Sequence, residues 1–188
     1  MSRPLSHILL CLVLWGSFAP ASAQSGEAGV SPTFPKVVFV DANARVLLVF
    51  DERRQAFEVP AQGFMQGPTG FRQYIDRLAG EIGLAYERYR LGGIFTYVAP
   101  QRPEAYLRPY LVVPVAGTAQ AVADGYRWFP LDDAIAEIRY PASARILDRI
   151  MRQPEHVWSA TFEEHGYTDP VDVDRIVFRV VEDFHRID

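Results

Sequence analysis

The side chains of this 188-residue chain best placed to do chemistry are charged groups at helical spacing. Glu81 follows Arg77 by four residues, and Arg72 and Asp76 share the polar face of the same segment. Glu81 alone could ligate a hard divalent ion, but one carboxylate plus waters holds magnesium weakly. Arg77 could pair with Glu81, a contact worth roughly a few tenths of a kcal/mol at a surface. Alternatively, Arg72 and Arg77 together could hold an anion, since guanidinium groups bind phosphate without a metal. A plain solvated helix face is the competing reading. Glu104 is a second carboxylate, in a loop before a strand, where simple solvation is the plain reading. His7 lies in the N-terminal apolar region. His156, His165 and His185 show no metal-ligand spacing and suit a surface. Asp76, Asp132 and Asp133 form no carboxylate pair. Residues 63–70 are not followed by Lys-Ser/Thr, so no phosphate-cradling loop is present, and no G-x-S-x-G elbow occurs. Lys36 is the only lysine and carries no site signal by itself.

The elements that would position these groups are legible from period and punctuation. Residues 36–40 (KVVFV) and 45–50 (RVLLVF) read as a hairpin around a turn-like Asp41-Ala42-Asn43-Ala44. Phe57 to Val59 is extended and stopped by Pro60. Residues 61–70 carry three glycines and a proline and form a loop. Phe71, Tyr74, Ile75, Leu78 and Ile82 make one apolar helical stripe, with Thr69 as N-cap and Gly83 as stop. Extended segments follow at 86–98 and 106–115. Pro109 in the latter suggests an edge position or a bulge. Arg127 to Phe129 is a short extended piece, and helices are predicted over 131–138 and 142–151. Residues 154–164 and the stretch after Asp169-Pro170 have helical spacing, the latter through Val173, Ile176, Val177, Val180, Val181 and Phe184. Ile176 to Val181 also reads as a strand.

Composition bounds the setting. Arg3, the apolar run Ile8 to Trp15 and Ala21-Ser22-Ala23 have the form of a signal peptide over 1–23, cleaved before Gln24, with a short N-terminal anchor as the alternative. The apolar run is too short for a permanent membrane span, so no stable anchor is expected. Cleavage would remove Cys11, the only cysteine, leaving a cysteine-free mature chain of about 165 residues held by its core. Taking Arg3 from the 19 basic residues leaves 18 against 23 acidic ones, a net charge of −5. That balance argues against a nucleic-acid partner. Residues 24–34 read as a flexible lead-in.

The order of these elements and three landmarks resemble the Nudix hydrolase superfamily over residues 35–152. The landmarks are Phe57-Glu58-Val59-Pro60, the helix ending Glu81-Ile82-Gly83-Leu84, and Trp128-Phe129-Pro130-Leu131-Asp132-Asp133-Ala134. The resemblance implies an α/β fold, a Nudix-like α/β/α sandwich with a mixed sheet, here followed by a C-terminal helical extension over 153–188. It also implies cleavage of diphosphate-linked substrates with magnesium or manganese. The family signature runs G, five residues, E, seven residues, R-E-U-x-E-E-x-G-U, U being a bulky aliphatic. Anchored on Gly83-Leu84, its first glycine falls on Gln62, its first glutamate on Pro68, its arginine and glutamate on Asp76 and Arg77, and its paired glutamates on Gly80 and Glu81. The scaffold positions Leu78, Gly83 and Leu84 match. Of the four glutamates only Glu81 remains, so the box is degenerate. Arg77 also puts a cation where a cation should bind; two unit charges about 4 Å apart repel by about 4 kcal/mol at an effective dielectric near 20.

Two readings of function follow. One is an exported, periplasmic or secreted, catalytically inactive Nudix-like protein that binds a small anionic ligand through Arg72 and Arg77, or binds a protein partner. No cofactor is then expected. Its tail helices would cover the cleft, present a partner surface or form a homodimer contact. The other is a divergent hydrolase of a phosphoanhydride, with magnesium or manganese held by non-standard ligands such as Glu81 and Glu104.

Overall fold

The structure is a computed structural model that describes residues 32–100, 104–116 and 121–188. Residues 1–23, expected to be a signal peptide, and most of 24–34, expected to be a lead-in, lie outside the described residues. Strands β1 (Lys36–Val40), β2 (Val46–Asp51) and β3 (Ala56–Glu58) precede helix α1 (Phe71–Ile82). Strands β4 (Arg90–Val98), β5 (Tyr106–Pro114) and β6 (Tyr126–Phe129) lead to helices α2 (Leu131–Glu137) and α3 (Pro141–Arg152). Strands β7 (Trp158–His165) and β8 (Val177–Arg186) end the chain. All eight strands join one mixed sheet, ordered β3-β2-β1-β5-β4-β7-β8, with β6 paired to β2. The parallel pairs are β1 with β5 and β4 with β7. No helix among the described residues is long and apolar enough to cross a membrane.

Alternation along each strand assigns its residues to two cores. Val37, Phe39, Leu111 and Val113 face α1, whose stripe of Tyr74, Ile75, Leu78 and Ile82 is buried against them. Val38, Tyr110, Val112 and Phe95 face the other way, under α2 and α3. The α1 limits match the periodicity, but its N-cap is Gly70, which has no side-chain cap; the Thr69 hydroxyl instead donates to the Gln66 carbonyl at 2.8 Å. Gly83 closes the helix at φ 85°, and its N–H returns to the Ala79 carbonyl at 2.9 Å.

Several expectations need correction. The tail over 153–188 is no helical extension: β7 and β8 form an antiparallel hairpin that continues the sheet. Trp158, Ala160, Phe162 and Glu164 are buried at period two, with half-buried residues between them. In β8 the valines at helical spacing split between two faces, leaving Val177 and Val181 about half exposed. β-Branched residues suit a pleated strand, and a ready edge at β4 lets the segment complete a ladder rather than form separate helices. Asp169-Pro170 lies in the β7–β8 connection, where Asp169 faces Arg53 at 3.4 Å and Arg54 at 3.5 Å. Pro109 is at neither an edge nor a bulge. It sits within β5 opposite Ile94, in the gap between the Thr33–Leu107 bridge and the Lys36–Tyr110 ladder. The end of the lead-in is tied down: Phe34 N–H donates to Leu107 O at 2.8 Å, and Leu107 N–H to Pro32 O at 2.9 Å.

The sheet extension depends on one close backbone approach. Gly93 pairs with Tyr110 on one side and Trp158 on the other. A Cβ there would lie 2.5 Å from the Trp158 carbonyl oxygen and 2.6 Å from the Phe95 ring. Gly93→Ala is expected to lower stability by about 2 kcal/mol or more. Gly83→Ala meets no neighbour and carries only the left-handed backbone penalty of about 1 kcal/mol. Urea midpoints at unchanged m-value measure both.

Candidate functional site

The same alternation that builds the α2/α3 face places four charges on it. Lys36 heads the β1 row continued by Val38. Glu58 follows Ala56 on β3. Arg108 lies between Tyr106 and Tyr110 on β5, and Glu164 follows Phe162 on β7. The rows are otherwise apolar, and the charges fall together at one end of the sheet, beyond the cover of α3. There they line a cavity of about 590 Å³, walled also by Phe34, Phe64, Tyr106, Tyr140 and Tyr167.

Two of the four charges satisfy each other. Lys36 Nζ lies 3.5 Å from Glu58 Oε2 and donates to the Val59 carbonyl at 3.2 Å. The Glu58 carboxylate also accepts from the Val59 N–H at 2.7 Å and from the Ser143 hydroxyl at 3.1 Å, which itself accepts from Tyr110 OH at 3.2 Å. Lys36 is 5% exposed. Burial pulls its pKa down to about 8, against the pull of Glu58.

Arg108 and Glu164 have no such arrangement. The Arg108 guanidinium lies 4.0 Å from the Tyr97 ring centroid and 5.1 Å from that of Tyr106, and its Nη2 donates to Tyr106 OH at 2.8 Å. Its Nε has no hydrogen-bond partner among the described residues, and the side chain forms no ion pair among them. Burial disfavours the charge, but the surrounding tyrosines Tyr97, Tyr106, Tyr110 and Tyr167 hold its pKa above the ordinary arginine range. Glu164 is 2% exposed, and neither carboxylate oxygen has a hydrogen-bond partner among the described residues. Burial pushes its pKa up to about 7; Arg108, the Ala142 N–H and Tyr167 OH favour the charged form, and Glu58 opposes it. The two backbone and hydroxyl donors act from outside full hydrogen-bond geometry. Unpaired buried polar atoms are rare in folded chains. Here Arg108 Nε, both Glu164 oxygens, Tyr97 OH and Arg54 Nε belong to one neighbourhood. Arg54 lines the cavity mouth, 3.5 Å from Tyr140 OH and 3.9 Å from Asp51.

The residues singled out by spacing stand elsewhere. Arg72, Arg77 and Glu81 are exposed on α1, on the opposite side of the sheet, and Glu104 is exposed before β5. None of them lines the cavity. Arg72 lies over the Tyr89 ring at 5.6 Å rather than beside Arg77. Arg77 and Glu81 form no ion pair among the described residues, although their spacing permits one. The tail histidines meet carboxylates: His156 lies 3.4 Å from Asp188, His165 3.4 Å from Glu163, and His185 3.8 Å from Glu182. Among the described residues no group of three or more His, Cys, Asp or Glu side chains could hold a metal ion. Reading by helix face and family signature missed Lys36, Glu58, Arg108 and Glu164. The available signal was a charge at an inward position of an otherwise apolar alternation.

Glu164 yields a test that needs no ligand. Its folded pKa, near 7, exceeds its ordinary value of 4.5, so the native chain binds more protons between those limits. Stability therefore falls as pH rises from about 4.5 to 7, and the penalty, up to about 3 kcal/mol, is complete above 7. Glu164→Gln is expected to stabilise the chain at pH 8 and change it little at pH 4.5. An effect of equal size at both pH values, in thermal or urea unfolding, would contradict the burial argument.

No protein-family model and no curated protein matches the sequence. Solved structures do match the fold. A MutT protein from Bacillus halodurans aligns at TM-score 0.59 and 16% identity over 80% of this chain and 97% of its own. An Ap4A hydrolase from C. elegans aligns at TM-score 0.52 and 15% identity over 65% of this chain and 98% of its own. A Nudix hydrolase from Nitrosomonas europaea aligns at TM-score 0.51 and 19% identity over 65% of this chain and 90% of its own. With a mixed sheet held between α1 on one face and α2 and α3 on the other, this chain has the Nudix-like α/β/α fold.

Proposed function

We propose that this chain is an exported Nudix-like protein that binds a small anionic ligand in the cavity beside Arg108, without hydrolysing it. The observation that carries this reading is a largely buried guanidinium, with no carboxylate hydrogen bond among the described residues, in the wall of an aromatic cavity of about 590 Å³. Holding a charge away from water without a counter-ion is costly, and a ligand anion would remove that cost. The cavity size and its aromatic lining suit a small organic molecule. The ligand site thus moves from Arg72 and Arg77, where spacing placed it, to Arg108.

The α1 residues do not fit the divalent ion that the fold implies. Arg77, Gly80 and Glu81 offer one carboxylate and one positive charge where several oxygen ligands are needed. These residues support no hydrolytic step through a metal. The competing reading, a divergent hydrolase of a phosphoanhydride, draws support from the fold neighbours, two of which are named as hydrolases. It would need ligands from Glu81 or Glu104.

Calorimetry with benzoate and with phenyl phosphate tests binding, and Arg108→Met is expected to weaken it at least tenfold. A phosphate-release screen over nucleoside diphosphate derivatives with manganese is expected to show no turnover, with or without Glu81→Gln. Turnover abolished by Glu81→Gln would establish the hydrolase reading instead. Export has its own measurement: the periplasmic form of the full chain is expected to begin at Gln24, and retention of Met1 in the cytoplasmic fraction would refute it.

A further inference from the structure

The two charges of the cavity that form no ion pair among the described residues lie on one face of the sheet, with β4 between their strands, and they come from different parts of the chain. Arg108 lies on β5, inside the core of the fold; Glu164 lies on β7, in the hairpin that extends it. Arg108 favours the charged form of Glu164, yet no hydrogen bond joins them among the described residues. We infer that Glu164 is a proton-dependent counter-ion to Arg108, so that the cavity takes up a proton at Glu164 when it takes up a monoanionic ligand carrying a planar ring. The inference rests on the proposed binding function and names how that site is regulated.

The charge balance of the cavity supports it. Lys36 and Glu58 cancel in their own ion pair, and Arg54 at the mouth lies 3.9 Å from Asp51. With Glu164 ionised, Arg108 is also balanced and the cavity is neutral. With Glu164 protonated, one positive charge remains, which matches a carboxylate better than a phosphate dianion. A second anion entering beside an ionised Glu164 would place two like charges in a poorly solvated space, where repulsion is strong. The ligand and the Glu164 charge therefore exclude each other. Direct contact between ligand and Glu164 is not required, since both of its oxygens are buried. Arg108 keeps part of its surface open and lines the cavity. The aromatic walls, Phe34, Phe64, Tyr106, Tyr140 and Tyr167, supply flat apolar surface for a ring.

Other titratable groups surround Glu164. Arg108 and Tyr110 face it from β5, Tyr97 from β4, Glu58 from β3 and Tyr167 from the β7–β8 connection, while α3 contributes only the Ala142 backbone. The tyrosines, their pKa values raised by burial, stay neutral throughout the range of interest. His165 also lines the cavity, 3.4 Å from Glu163, and what it contributes is common to the parent and Glu164→Gln. Lys36 loses its proton near pH 8, and its contribution up to pH 7.5 is common to the parent and Glu164→Gln.

The experiment is a benzoate titration of the purified chain by calorimetry, at pH 6 and 7.5, in two buffers of different ionisation enthalpy. Benzoate remains ionised across this window, so its own titration adds nothing. Affinity is expected to fall about fourfold from pH 6 to 7.5, as the Glu164 proton is lost around pH 7, with net proton uptake on binding at the higher pH. Glu164→Gln, which keeps the shape and stays neutral, is expected to bind at pH 7.5 nearly as the parent does at pH 6, with the Glu164 share of the pH dependence and its proton uptake lost. Parent binding that is independent of pH, or a Glu164→Gln variant that keeps the parent's pH dependence, would overturn the proton coupling while leaving the binding function standing. Absence of benzoate binding at either pH, in both parent and Glu164→Gln, would overturn both. Phenyl phosphate binding as a dianion, tighter than benzoate at pH 7.5, would overturn the monoanion assignment.

Discussion

A guanidinium held against two tyrosine rings inside a sheet is the constraint around which the functional end of this molecule is organised. Arg108 gives up most of its contact with water. In return it has the faces of Tyr97 and Tyr106 and one hydrogen bond to a hydroxyl. Ring faces attract a cation, but by far less than full hydration does. A buried charge is normally paired with an opposite one by hydrogen bonds. Here the nearby carboxylates are committed elsewhere or withheld: Glu58 to Lys36 and Ser143, Glu164 to no hydrogen bond among the described residues. The guanidinium therefore keeps its charge without a hydrogen-bonded carboxylate among the described residues, and the cavity in front of it is the basis of the proposed anion binding.

The hairpin at the end of the chain makes this arrangement specific to the molecule. A sheet ending at β4 would leave an open edge beside the aromatic core, and exposed edges invite unwanted pairing. β7 takes that edge in parallel, and β8 covers β7. Phe162 and Phe184 then pack on Phe95, with ring centroids 6.2 and 5.9 Å away. The same strand that seals the core delivers Glu164 to the cavity, since alternation continues one step beyond Phe162. Structural completion and the electrostatics of the site are thus consequences of one strand register. The tight passage at Gly93, between Tyr110 and Trp158, is what allows the three backbones to lie side by side there.

The element order from β1 to α3 and the sandwich were legible because each segment has a clear period and clear punctuation. The α1 stripe shows both, from Phe71 to the Gly83 stop. The tail was harder. Val173, Ile176, Val177, Val180, Val181 and Phe184 satisfy helical spacing, and their β-branching, the counter-signal, decides only when a sheet edge is available. Trp158 to Glu164 alternates cleanly, but the polar members Ser159 and Thr161 are small enough for that alternation to pass for a helix face. For the site, the charges of α1 are the conspicuous ones, because they share a helix face. The charges that converge were scattered singly through apolar strands, from position 36 to position 164.

By itself the sequence determined the strands and helices of the core, the two-faced burial of the sheet, and the sparseness of carboxylates along α1. Those properties are local: they depend on residue type, period and neighbours within a dozen positions. Only the tertiary structure decided that the tail becomes two strands, and that Lys36, Glu58, Arg108 and Glu164 meet at one cavity. Both outcomes depend on which strand edges are adjacent and in what register, and pairing between distant segments sets that. A charge in an apolar strand announces that something must compensate it; only the fold determines what stands opposite.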